Sequence, residues 1–176
     1  MLSLGPLQVA DFDLVAGWLS DPAVNRWLTS QWRGREVTAT TIAVATRNKR
    51  NLMFLVRDER IPVALVALAE IDTVDRCAEV WYALAPSTPS GKGVATEAVQ
   101  LLVAHALRTL GLNCLYVSIM ATNIPSIRVA EKVGFRHAGR LRRAMTFGGE
   151  PVDRVLLDYL PAHDPGPVPG VATGPP

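Results

Sequence analysis

Ser90-Gly91-Lys92-Gly93-Val94-Ala95-Thr96 is the stretch that decides how this chain is read. Upstream of it, residues 77 to 84 form an apolar run that predicts a strand. Downstream, Val94, Ala98, Leu101, Leu102, His105 and Ala106 recur at helical spacing, which predicts a helix from about Gly93 to Leu110 with Gly111 as its C-cap. Glycines between a strand and a helix let the backbone come close to a ligand. The helix that follows presents free N–H groups and the positive end of its dipole. Together these suit a phosphate. A Walker A loop would need glycine where Pro86 stands and Ser or Thr where Gly93 stands, so that reading fails. A dinucleotide fingerprint would need Gly or Ala at Thr96 and an acidic residue closing the next strand, and neither is present. The plain alternative is a tight turn that holds nothing.

Working outward, residues 1–10 predict a short strand and turn, and Asp11 is placed to cap a helix reaching about Ser20. Asp21-Pro22 opens a second short helix holding Val24, Trp27 and Leu28, and residues 36–49 predict a third despite several threonines. Two apolar runs, 52–56 and 61–71, flank Asp58-Glu59-Arg60 as a hairpin. Beyond the central helix come a buried strand at 115–120, a short helix at 125–133 closed by Gly134, and two strands around Phe147-Gly148-Gly149-Glu150. The order is β-α-α-α-β-β-β-α-β-α-β-β, an α+β layout on a central mixed sheet.

The chain has 176 residues, 49% of them apolar, which suits one domain with one core. A net charge of +2 gives no case for a nucleic-acid partner. Arg140, Arg142 and Arg143 are the one basic cluster, read as a solvated face. Cys77 and Cys114 lie in apolar stretches as free buried thiols, and neither they nor His105, His137 and His163 have metal-ligand spacing, so no metal is expected. No basic residue precedes Arg26, and no apolar run approaches the roughly 18 residues of a membrane span. A cytoplasmic protein is expected. From Pro161 onward Pro, Gly and small residues dominate, which predicts a disordered tail at 161–176 behind a domain of residues 1–160.

Taken in order, the motifs resemble the GNAT acetyltransferases. The stretch from Ala78 to Pro86 looks like the family's fourth strand, and Gly91-Lys92-Gly93-Val94-Ala95-Thr96-Glu97-Ala98 like its pyrophosphate loop and central helix. Asn123-Ile124-Pro125-Ser126 and Glu131-Lys132-Val133-Gly134-Phe135 resemble the exit of its fifth strand and the next helix. Gly139 to Leu141, Gly149, Asp153 and Tyr159 fit the terminal hairpin, and Trp18-Leu19-Ser20-Asp21-Pro22 fits the first half more loosely. The branch with ribosomal-protein N-terminal and some aminoglycoside acetyltransferases is the most similar.

The resemblance implies a central, mostly antiparallel sheet in which the fourth and fifth strands splay apart. It implies an acetyl-CoA-dependent N-acetyltransferase that acetylates a primary amine of a small molecule or a protein N-terminus in a ternary complex. The backbone of Tyr82, Ala83 and Leu84 would hold the pantetheine arm, with Asn123 contacting it. Gly91, Lys92, Gly93, Val94, Ala95 and Thr96 would supply N–H groups to the pyrophosphate. Glu97, in the first turn, is as well explained by the helix dipole.

Two positions depart from the family pattern. Ser90 stands where Gln or Arg usually begins the loop, and Ala130 where many members carry a tyrosine acid. Ser126 is then the candidate donor to the leaving thiolate, with simple helix capping as the rival reading. Glu79 is the candidate base, but alternation groups it with Cys77 and Trp81, on a face expected to meet solvent or Arg76. Trp27 and Trp32 flank the loop where the family seats its acceptor, and no acidic cluster announces a polycation. A homodimer is compatible with all of this. The rivals are a non-catalytic acyl-CoA-binding regulatory module and a transferase of a different acyl group.

Overall fold

The computed structural model describes residues 1–89 and 91–161. The tail expected at 161–176 therefore lies, from residue 162 on, outside the described residues. The elements are β1 (Leu2–Pro6), α1 (Phe12–Ser20), α2 (Pro22–Asn25), α3 (Ala39–Arg47), β2 (Leu52–Asp58), β3 (Ile61–Asp72), β4 (Cys77–Leu84), α4 (Val94–Arg108), β5 (Cys114–Met120), α5 (Ile124–Val133), β6 (Arg136–Phe147) and β7 (Glu150–Tyr159). They form one sheet ordered β1-β2-β3-β4-β5-β7-β6. Every neighbouring pair is antiparallel except β4 and β5, which run parallel with α4 as their crossover.

Alternation along the strands splits the apolar residues between two faces. Ala78, Val80, Leu115, Val117, Val155 and Leu157 turn to one side and meet Ala98, Val99, Leu102 and Ala106 of α4. Leu55, Leu65, Ala67 and Ala83 turn to the other and meet Val15, Leu19, Trp32 and Ile42. Each fully buried Leu or Val contributes about 1.5–3 kcal/mol of transfer free energy. The two layers thus fix the central strands from both faces.

Several helix boundaries differ from expectation, each for a local reason. Asp11 stands at the start of α1 but does not cap it. Its carboxylate takes the Gln8 N–H and a bifurcated bond from the Arg57 guanidinium instead. Asp21 does cap α2, accepting from Ala23 N–H at 2.8 Å, but the helix stops at Asn25 and leaves Trp27 and Leu28 beyond its end. The threonines near α3 are its cap: Thr38 and Thr41 form a reciprocal capping box, so the helix begins at Ala39 rather than residue 36. Thr109 caps the end of α4, and Gly111, at φ +66°, makes the later turn toward β5.

Candidate active site

The parallel pairing of β4 and β5 is brief. It joins Cys77 to Cys114, Ala78 to Leu115 and Glu79 to Tyr116, and then ends. Past that point β4 stays paired only to β3, as far as Leu84, while β5 stays paired only to β7, as far as Met120. The strands part, and the N–H and C=O groups of β4 that face the gap need partners from elsewhere. The gap is a cavity of about 70 Å³ lined by Trp81 and Tyr82 of β4, Ser118 to Met120 of β5, and Asn123, Ser126 and Ala130.

The glycine loop lies where β4 gives out. Gly91 and Gly93 have φ of +78° and +82°, a left-handed backbone that side chains with a Cβ rarely adopt. Gly93 is the N-cap residue of α4, and no side chain caps that end. The N–H groups of Val94, Ala95 and Thr96 therefore point out of an uncapped first turn. Lys92 is exposed beside them. Glu97 is exposed in the same turn, where its charge complements the dipole. Ser90 lies outside the described residues.

Across the cleft, Asn123 is buried and caps α5, its Oδ1 accepting from Ser126 N–H at 3.3 Å. The cap is thus Asn123 rather than Ser126, and the Ser126 hydroxyl is left for other work. Tyr82 Oη donates to Ser126 Oγ at 3.1 Å. Burial holds the Tyr82 phenol above its usual pKa, with the Ser126 bond opposing, so it stays protonated. Only the backbone of Tyr82 was expected at the site. Nothing in the local pattern pairs its side chain with a serine 44 residues on. Ala130 is buried one turn beyond Ser126 on the same helix face, so the position without a phenol on α5 stands close to one supplied by β4.

Glu79 lines the cleft alongside Trp81. Its pairing with Arg76 is not found: Arg76 Nε donates to the Gly111 carbonyl at 2.7 Å instead. Burial raises the Glu79 carboxyl above the ordinary carboxylate range, opposed by the nearby positive charge of Arg154. The third wall is aromatic. Trp32 is buried and packs on Trp81 at 5.9 Å between ring centroids. Trp27 stacks on Phe147 at 5.1 Å, tying the loop after α2 to the β6–β7 turn, with Arg26 over its ring. Trp18 belongs to the core. No group of His, Cys, Asp and Glu suited to a metal occurs among the described residues.

Residues 2–136 match the family model described as "Acetyltransferase (GNAT) domain". The chain is 25% identical over 165 residues to an uncharacterized N-acetyltransferase, p20, of Bacillus licheniformis, covering 90% of this chain and 92% of that protein. It is 37% identical over 75 residues to the probable N-acetyltransferase YjcK of Bacillus subtilis, covering 43% of this chain and 41% of that one. Its fold is similar to that of spermidine N-acetyltransferase from Vibrio cholerae in complex with CoA and spermine, with a TM-score of 0.82 and 21% identity over 90% of this chain and 95% of that one.

Proposed function

The chain belongs to the GNAT acetyltransferase family, and on that premise we propose that it transfers the acetyl group of acetyl-CoA to a primary amine, of a small molecule or a protein N-terminus, by direct attack in a ternary complex. The observation that carries this reading is the parting of β4 and β5 immediately ahead of an uncapped, glycine-entered helix. An extended pantetheine arm fits the open edge of β4, bonded by the backbone of Tyr82, Ala83 and Leu84 and by the Asn123 amide. The loop from Gly91 to Thr96 takes the pyrophosphate. A Vibrio cholerae protein of similar fold binds CoA, which supports acetyl-CoA as the donor.

In the reaction the amine nitrogen forms a bond to the acetyl carbon, and the bond from that carbon to sulfur breaks. One proton must leave the nitrogen and one must reach the sulfur. Glu79 is the base for the first, directly or through a water. Ser126 is the donor for the second, with Tyr82 behind it in a chain of two hydroxyls. A β4 N–H near Leu84 meets the charge that develops on the acetyl oxygen. The Trp27, Trp32 and Trp81 side chains wall the acceptor and keep water out.

Glu79 is the one carboxylate among the residues lining the cleft. A polyamine, the acceptor bound by the Vibrio cholerae protein, would find no acidic partners for its further charges. A cytoplasmic location belongs to this proposal, since no described helix is long and apolar enough to cross a membrane and both cysteines are free. So does a homodimer. The exposed edge strand β6 carries register shifts and Arg140, Arg142 and Arg143, which oppose strand pairing there and move the contact to another face.

The test is release of free CoA thiol with acetyl-CoA and a panel of amines. Amine-dependent release is expected. Bound acetyl-CoA with no release from any amine would favour the binding-module reading.

A further inference from the structure

Beside the acceptor end of the cleft is a second cavity, of about 280 Å³, whose lining includes Ser30, Arg33, Arg143 and Arg154. It lies beside the first: Arg154 pairs across the sheet with Met120, which lines the cleft, and Ser30 and Arg33 are chain neighbours of the cleft residues Thr29 and Trp32. Three arginines from distant parts of the chain meet there, and no carboxylate is among the lining residues. None of the three is in an ion pair among the described residues. Arg33 Nη1 and Arg154 Nε are buried without a hydrogen-bond partner. Glu79 is near enough to Arg154 to feel its charge, but no hydrogen bond joins them, and a buried charged donor left unpaired is costly, so the two orphaned guanidinium groups ask for an anion.

The backbone is bent to build the cluster. Leu141 pairs with Arg154 and Met145 with Val152, so residues 142–144 of β6 stand opposite Asp153 alone. Arg143 sits in this bulge at φ +53°, a left-handed conformation uncommon for a residue with a side chain. Asp153 pins it there, accepting from Arg143 N–H at 2.9 Å and from Arg140 Nε at 2.6 Å. Bulges of this kind re-aim side chains beside functional sites. On β7, alternation puts Arg154 on the sheet face opposite Val155, the face that also carries Glu79 and Trp81.

We propose that this cavity is an oxyanion subsite, and that the acceptor is a primary amine bearing a carboxylate or phosphate group, held by Arg33 and Arg154 with its amine directed toward Glu79. Carboxylate and phosphate both match the planar guanidinium donors. The acceptor half of this statement rests on the cleft being an amine acetylation site. The anion half does not.

The experiment has two arms. Tryptophan fluorescence, with Trp32 next to Arg33, is titrated with glutarate and separately with inorganic phosphate, in the absence of acetyl-CoA. Saturable binding is expected, weakened about tenfold or more in Arg154→Gln and unchanged in Arg108→Gln, a substitution on the far side of α4. Thiol release is then compared for ω-amino acids, ω-aminoalkyl phosphates, alkylamines of equal length, and spermidine. The anionic amines should exceed the alkylamines in kcat/KM by about tenfold or more, and Arg154→Gln should bring the two toward equality through KM. The faster anionic series identifies the anion. Absence of saturation with both anions, or titrations that Arg154→Gln does not alter, would overturn the subsite whatever the enzyme assay gives. Alkylamines or spermidine outpacing the anionic amines would overturn the acceptor class while leaving amine acetylation intact. A protein that binds the anions but acetylates no amine would contradict the enzymatic reading and leave the subsite standing.

Discussion

The phenol of Tyr82 donates a hydrogen bond to the Ser126 hydroxyl across 3.1 Å, joining the strand that leaves the parted pair to the first turn of the helix beside it. Asn123 already caps that helix through the Ser126 N–H, so the hydroxyl is not needed for the cap.

Ser126→Ala should therefore melt close to wild type and bind acetyl-CoA with unchanged affinity, yet lose about 100- to 10,000-fold in turnover, the usual worth of a positioned proton donor. Tyr82→Phe should show a smaller loss in the same direction, because the proposed donor Ser126 would remain. Turnover by thiol release and affinity by calorimetry separate the two effects. Near-normal turnover in Ser126→Ala would end its role.

Glu79 gives a pH dependence with a definite sign. Burial raises its folded-state pKa above that of the unfolded chain, so the folded protein holds this proton to higher pH. Ionising Glu79 then costs stability. The penalty is absent below the unfolded-state pKa and complete once pH has passed the folded-state value. Glu79→Gln should raise Tm at pH 8 and lose that gain as the buffer is taken to pH 4. Activity should run the other way, since only the carboxylate accepts a proton. Wild-type rate should climb as pH passes the raised pKa, and Glu79→Gln should lose this limb together with about 100- to 10,000-fold in rate. Arg154 opposes the rise, so Arg154→Gln should move the limb to higher pH. An unchanged pH–rate profile in Glu79→Gln would assign the base elsewhere.

The order of strands and helices was legible because its signals are local. Alternation in β4, the helical period of α4 and Gly134 at the end of α5 each act over a few residues. The threonines before α3 were legible only in part. As helix formers they argue against a helix, whereas as the Thr38–Thr41 box they begin one. What the chain conceals is convergence across long separations. Arg143 read as part of a solvated basic face, and it reaches Arg33 and Arg154 only through a two-residue register shift in β6. Glu79 is legible as a candidate base, but alternation alone leaves its face open between the cleft, solvent and Arg76; Arg76 is drawn to the Gly111 carbonyl beyond the end of α4.

The stack of Trp27 on Phe147 ties the loop after α2, proposed to wall the acceptor, to the β6–β7 turn. Such a pair contributes about 0.5–1.5 kcal/mol beyond its buried area. Phe147→Ala should raise KM for the acceptor and leave calorimetric acetyl-CoA affinity unchanged, because the loop and strand proposed to hold acetyl-CoA lie elsewhere. An equal loss of affinity for both substrates would mean that the stack supports the whole cleft.

Calorimetric titration of acetyl-CoA into the wild-type protein and into Gly93→Val decides whether the glycine loop holds the pyrophosphate. Gly93 has open space where a Cβ would stand, but its φ of +82° does not suit valine. The substitution should strain the cap by about 1–3 kcal/mol and put a side chain where the pyrophosphate approaches the helix. Saturable binding to wild type is expected, with a Tm that rises with acetyl-CoA concentration, and loss of both in a Gly93→Val protein that remains folded by circular dichroism. No heat at millimolar acetyl-CoA with wild type, or equal affinity in folded Gly93→Val, would contradict this expectation.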